Sequence, residues 1–220
     1  MTGDVPIRDA ATVILVRDAA TTPSVLMGQR GRGAVFMPDK FVFPGGAVDP
    51  EDHDVVLAAG PSEATRSRLV AEVDGGPAPD TLAVTAIREL WEETGLRLAK
   101  AGEWSDAPSG WEGFGARPVA DSLHFFFRAV TPPGRPRRFD ARFFLASAEA
   151  LLDDPDALPE ETDELSHLAW VPFDEVRRLN LAFITELVLA EVARHLPRTD
   201  APERVPFVRN DRIDSAVVWL

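Results

Sequence analysis

Glu89, Glu92 and Glu93 crowd into the run Arg88-Glu89-Leu90-Trp91-Glu92-Glu93-Thr94-Gly95-Leu96. On a helix, residues three and four apart are neighbours, so Glu89 lies beside both Glu92 and Glu93, and Arg88 beside Glu92. A solvated helix face normally interleaves acids with Lys or Arg at i+4. Like charges at these spacings instead cost roughly 0.2–0.5 kcal/mol each. A hard divalent cation reverses that sign, because Mg2+ and Mn2+ take oxygen ligands and Mg2+ is commonly shared with substrate phosphates. Glu89, Glu92 and Glu93 are therefore candidate metal ligands, with Arg88 beside Glu92.

The element that must carry them is a helix over 81–94 (TLAVTAIRELWEET), with Ala83, Ile87, Leu90 and Thr94 forming one stripe at helical spacing. Asp80 can cap its start after Pro79, and Gly95 ends it. Upstream, 10–17 (AATVILVR) and 24–30 (SVLMGQR) predict two antiparallel strands. A loop over 31–40 leads into Phe-Val-Phe-Pro44-Gly45-Gly46, where Pro44 stops a short strand and the glycines permit positive φ or close backbone approach. Residues 47–80 read as an inserted helical excursion. Downstream, 119–130 and 137–147 predict paired strands, LSHLAWV another strand, and PFDEVRRLN and LAFITELVLAEVARHL two helices. This gives one domain over 1–220 with a C-terminal helical extension from about 173. The final helix is amphipathic, suited to core packing or to a homodimer contact.

Composition narrows the chemistry. Net charge is −13, which argues against broad nucleic-acid binding but not against a small anion met by a few local arginines and metal ions. Cys is absent, excluding disulfides, thiol catalysis and Cys-based zinc, and fitting a reducing, cytoplasmic compartment. His53, His124, His167 and His195 are too scattered for an all-His zinc site. The opening residues read as a lead-in and strand rather than a signal peptide, and no apolar run reaches the ~18 residues that span a bilayer.

RELWEETGL resembles the C-terminal half of the Nudix box, whose pattern is G, five residues, E, seven residues, R-E-U-x-E-E-x-G-U, with U bulky and aliphatic. Every specified position from Arg88 to Leu96 is filled, and FPGG is the usual lead-in. The box is split, however. Arg88 lies 42 positions after Gly46 where the pattern has 14, an excess of 28 residues. Counting back from Arg88 puts the pattern's first Glu on Asp80, which would pair with Arg88 or act as a plain helix cap.

The split box resembles the branch that includes the peroxisomal coenzyme A diphosphatase and its bacterial relatives. Thr131-Pro132, Arg137-Arg138-Phe139-Asp140, Phe143-Phe144 and Glu161–Leu165 with Trp170 carry that likeness. The extended coenzyme A signature that precedes PGG in some such enzymes is not evident.

The resemblance implies an α/β Nudix fold, a mixed β-sheet sandwiched between helices. It implies Mg2+- or Mn2+-dependent cleavage of the phosphoanhydride in a small-molecule nucleoside diphosphate derivative, coenzyme A or acyl-coenzyme A foremost. A nucleotide sugar, dinucleotide or ADP-ribose is the alternative. By motif position Glu92 and Glu93 are principal metal ligands, Glu89 a further one, and Gly46 a carbonyl ligand; these three glutamates and Arg88, whose planar fork would orient the carboxylates, are the catalytic candidates. Glu161 and Glu164 are candidate general bases. Arg30, Arg137 and Arg138 are candidate phosphate contacts; Arg137 and Arg138, adjacent on a strand, point to opposite faces, so at most one serves. Phe125, Phe126, Phe127, Phe143 and Phe144 read as core. Of the other classes, a non-catalytic Nudix-fold sensor usually shows eroded box carboxylates, and an isoprenoid diphosphate isomerase-like relative leans on a Cys that this chain lacks.

Overall fold

A computed structural model describes residues 5–72, 75–159, 165–210 and 216–220. In chain order the strands are β1 (Ile7–Arg17), β2 (Ser24–Arg30), β3 (Phe41–Val42), β4 (Gly45–Ala47), β5 (Ala99–Lys100), β6 (Arg117–Pro118), β7 (His124–Val130), β8 (Arg138–Ser147), β9 (Leu165–Pro172), β10 (Pro206–Arg209) and β11 (Ala216–Trp219). The helices are α1 (Glu63–Leu69), α2 (Pro79–Thr94) and α3 (Phe183–His195).

Among the described residues, nine strands join one mixed sheet. Its order is β11-β10-β7-β8-β1-β2-β3, with β4 added to β1 and β9 to β2. The centre is β1, parallel to β8 from Ile7↔Arg138 to Val16↔Ser147 and antiparallel to β2. Its run Val13-Ile14-Leu15-Val16 is fully buried because both faces of the sheet are covered. On one face Val13 and Leu15 meet Ala83, Ile87 and Leu90 of α2; on the other Ile14 and Val16 meet Val188, Leu189 and Val192 of α3. The result is the expected sheet between helices. The five candidate core phenylalanines are buried. No helix among the described residues is long and apolar enough to cross a membrane.

The helix α2 is buried almost all round. Besides the expected stripe, Thr81, Thr85, Arg88, Glu89 and Glu93 are inaccessible. The cause lies in the segment before it: Val55 and Leu69 pack into the α2 side of the core. Of the helical excursion expected over 47–80, the described residues before the start of α2 form one α-helix, α1; Ser62 caps it by accepting from the Thr65 N–H at 3.2 Å. A 3-10 turn at Pro50–His53 precedes it, and the stretch between the two is loop, held by the Ala120 N–H on the Ala59 carbonyl at 2.7 Å.

The C-terminal extension also departs from expectation. PFDEVRRLN forms only a short 3-10 turn at Val176–Arg178, because its end is drawn to β3: the Phe41 N–H donates to the Asn180 carbonyl at 3.0 Å and Lys40 Nζ to Asn180 Oδ1 at 2.6 Å. Among the described residues the tail beyond α3 supplies β10 and β11, with Val205 and Phe207 buried.

Arg138 and Asp140, part of the RRFD segment, serve the sheet. Asp140 takes a bidentate pair from Arg128, Nε at 2.9 Å and Nη2 at 2.7 Å. Arg138 is buried, donating from Nε to the Thr131 carbonyl at 3.0 Å and from Nη2 to the Asn210 carbonyl at 2.9 Å.

Candidate functional site

The site is assembled by one strand, one turn and one helix. β4 lies antiparallel to β1, Ala11 opposite Gly46, and the chain then turns through Pro50–His53. Helix α2 starts at Pro79, whose missing N–H suits a helix start. It stops at Gly95, which takes a left-handed φ of 75° and donates its N–H to the Trp91 carbonyl at 2.7 Å. Between these ends the helix presents Arg88, Glu89, Glu92 and Glu93 to β4 and the turn.

Arg88 is the hub. Nε and Nη2 grip Asp52 Oδ1 and Oδ2 at 2.8 and 3.0 Å, and Nη2 also donates to the Ala47 carbonyl at 3.0 Å. Nη1 donates to Glu89 Oε1 and Glu92 Oε2, both at 2.9 Å. A guanidinium has five N–H donors, and here all five are engaged. Arg88 therefore has no donor left for a ligand; it sets the carboxylates in place. Burial works against its charge, but the hydrogen bond to Asp52 and the charges of Glu89, Asp52 and Glu92 outweigh this and raise its pKa above the ordinary arginine value.

The glutamates differ in setting. Glu92 is half exposed. Glu93 is buried, and its Oε2 accepts the Gly45 N–H at 2.9 Å. Glu89 is buried against Gly46, where a Cβ would stand within 2.6 Å of the Glu89 Cδ. That close approach is why position 46 is glycine. Replacing Gly46 with Ala must push the Glu89 carboxylate aside; a tenfold or greater weakening of Mn2+ binding is expected for a ~1 Å displacement at such a site, measurable by titration, with the fold kept.

Asp80 neither caps α2 nor meets Arg88. Ala78 occupies the cap position, and Asp80 pairs with Arg66 at 2.6 Å in a half-exposed contact. The acidic partner of Arg88 is Asp52, missed by counting backwards. Counting six positions forward from Gly46 lands on it, so the insertion falls after Asp52 rather than straight after Gly46. Asp52 is buried and further held by the Thr85 hydroxyl at 2.7 Å and the Asp49 N–H at 3.0 Å.

The remaining candidates are not brought together. Arg30 ends β2, half-buried, its N–H on the Lys40 carbonyl at 2.9 Å. Arg137 is exposed, and Arg138 spends donors on backbone carbonyls as described. Glu161 and Glu164 lie outside the described residues.

A divalent cation fits this donor set in charge and type. Asp52, Glu89, Glu92 and Glu93 oppose one guanidinium, so the cluster holds excess negative charge in a partly buried place, and its donors are the hard oxygens that Mg2+ and Mn2+ prefer. Among the described residues no three His, Asp or Glu side chains already converge as a closed ligand set. Glu89 and Glu92 turn to Arg88, and Glu93 to the Gly45 N–H.

Known proteins resemble this chain in sequence and fold. A Caenorhabditis elegans protein named "Putative nudix hydrolase 7" is 31% identical over 179 residues, which cover 74% of this chain and 51% of the relative; the chain thus spans about half that protein's length. The crystal structure of a NUDIX hydrolase from Alicyclobacillus acidocaldarius superposes with a TM-score of 0.62 at 30% identity, covering 86% of this chain and 92% of the other. The MutT protein from Methanosarcina mazei Go1 shares the fold, with a TM-score of 0.50 at 14% identity over 87% of this chain and 96% of its own. The family profile described as NUDIX domain matches residues 73–192, more than half of the 220, and the chain therefore belongs to the NUDIX family.

Proposed function

We propose that this protein hydrolyses the phosphoanhydride bridge of a nucleoside diphosphate derivative, with Mg2+ or Mn2+ held by Glu89, Glu92 and Glu93 and the Gly46 carbonyl. One observation carries the reading: three carboxylates, Asp52, Glu89 and Glu92, share a single guanidinium whose donors are all spent, and Glu93 stands one turn from Glu89 on the same helix, held by the Gly45 N–H. Arg88 answers Asp52, Glu89 and Glu92 with one positive charge, and a divalent cation would relieve the repulsion that is left. When bound, the metal supplies Lewis-acid stabilisation of phosphate charge and lowers the pKa of a bound water.

The chain's own residues do the rest. Arg88 fixes the carboxylates of Glu89 and Glu92 at separations that thermal motion of free side chains would blur. The Gly45 N–H fixes Glu93. Glu92, the exposed member, faces incoming substrate. The relatives' hydrolase names and the fully filled RELWEETGL half of the box favour catalysis over a sensor role.

Coenzyme A or acyl-coenzyme A is our leading substrate, on the split box and the RRFD and Phe143-Phe144 segments. Asp140 and Arg138 hold the sheet together, so the RRFD segment supports the likeness through architecture rather than through a substrate contact. A panel of coenzyme A, a nucleotide sugar, a dinucleotide and ADP-ribose, with product masses, tests this. Release of 3′,5′-ADP and a 4′-phosphopantetheine species from coenzyme A is expected. Faster turnover of another panel member moves the assignment to that substrate, and no metal-dependent turnover of any overturns the hydrolase reading.

A further inference from the structure

A second charged cleft lies far from the glutamates, on the α3 side of the sheet. It has a volume of about 410 Å3 and is walled by the end of α3, the 198–206 segment and β11, with Phe126 at its floor. Three arginines from separate stretches line it: Arg194, Arg198 and Arg204. Its volume falls within the range of small-molecule sites, roughly 300–1,000 Å3. Most of its wall comes from residues beyond the NUDIX match at 73–192.

The arginines are unequally satisfied. Arg194 is paired with Glu191. Arg198 Nη2 meets His195 Nδ1 at 3.5 Å, while the opposite ring nitrogen, Nε2, faces the Asp200 carbonyl at 3.0 Å and the Asp200 carboxylate at 3.2 Å. Arg204 lies over the Trp219 ring, 4.0 Å from its centroid. Among the described residues neither Arg198 nor Arg204 has a carboxylate within ion-pair distance, in a chain carrying net charge −13 where acids are plentiful. The remaining acid of the wall, Glu203, is exposed and meets neither of them; its carbonyl accepts from Arg68 Nη2 at 2.8 Å.

We infer that this cleft binds the phosphate group of a small molecule, held by the planar forks of Arg198 and Arg204. Guanidinium forks match phosphate oxygens in pairs, and these two forks are not held by a carboxylate among the described residues. The Glu203 carboxylate opposes the ligand and sets its affinity low. The inference is independent of the hydrolase reading, because the cleft and the glutamates lie on opposite faces of the sheet.

Inorganic phosphate is the probe, titrated without divalent metal into the full chain while the indole N–H resonance of Trp219 is followed by NMR, with sodium chloride at matched ionic strength as reference. A saturable shift beyond the chloride response is expected. Arg198→Ala should weaken binding at least tenfold, Arg198→Lys less, and Glu203→Gln should tighten it severalfold; both positions carry exposed side chains whose replacement spares the core. Binding that survives Glu92→Gln with Glu93→Gln unchanged places it outside the candidate catalytic site. No saturable shift, a shift explained by ionic strength alone, or equal affinity in Arg198→Ala and wild type overturns the proposal.

Discussion

Replacing Glu92 and Glu93 together with Gln should lower Mg2+- or Mn2+-dependent turnover by on the order of 10³-fold or more while leaving the protein folded. The magnitude follows from a bound: even outer partners of metal ligands are worth about 10–100-fold each, and direct ligands at least as much. The fold survives because each Gln replaces its Glu without loss of packing. Glu92 is half exposed, so its neutralisation removes one partner of Arg88 where solvent can compensate. Glu93 is buried, but the amide oxygen of a Gln still accepts the Gly45 N–H. Steady-state rates with the substrate found in the panel, alongside thermal melts, check both halves. Wild-type turnover in the double variant would refute the site.

The largest stability effect belongs to a residue without a proposed ligand role. Asp52→Ala strips the bidentate partner from a buried guanidinium, and breaking a buried ion pair from one side costs about 3–5 kcal/mol. For a chain of this size each kcal/mol moves Tm by roughly 2–4 °C, so a drop of about 6–20 °C is expected. Asp52→Asn keeps hydrogen-bonding atoms and should fall between. Asp80→Ala is the comparison: its pair with Arg66 is half exposed, and such pairs are worth about 0–1 kcal/mol. Melting curves of the three variants decide which acid supports the box. Equal losses at positions 52 and 80 would show that Arg88 does not depend on Asp52.

These two predictions separate roles that sit within one constellation. Arg88 binds Asp52 on one side and Glu89 with Glu92 on the other, so the acid that stabilises the fold and the acids proposed to hold metal share one guanidinium. A substitution at Asp52 should therefore also loosen the carboxylates, lowering metal affinity by about 10–100-fold in whatever fraction remains folded.

Much of the site is written in local spacing. RELWEETGL could be placed on a helix because i,i+3 and i,i+4 neighbours follow from helical geometry alone, and Gly95 marks the end by the one conformation in which it excels. β1 and β2 were legible for the same reason: their apolar runs and the polar break between them span few residues. What lay beyond the sequence is what joins distant segments. Asp52 stands 36 residues from Arg88, and only the fold of the intervening insertion brings them to 2.8 Å. Arg138 reads as a phosphate contact until the chain delivers the Asn210 carbonyl to it, 72 residues on. The short turn at Val176–Arg178 yields to its tie with β3, and the residues after α3 become strands because the edge of the sheet, formed by β7, is there to receive them. Periodicity encodes each element's own hydrogen bonds and faces. Which buried charge meets which partner is fixed by tertiary closure, since desolvation makes an unpaired ion too costly and selects the arrangement in which every donor of Arg88 is answered.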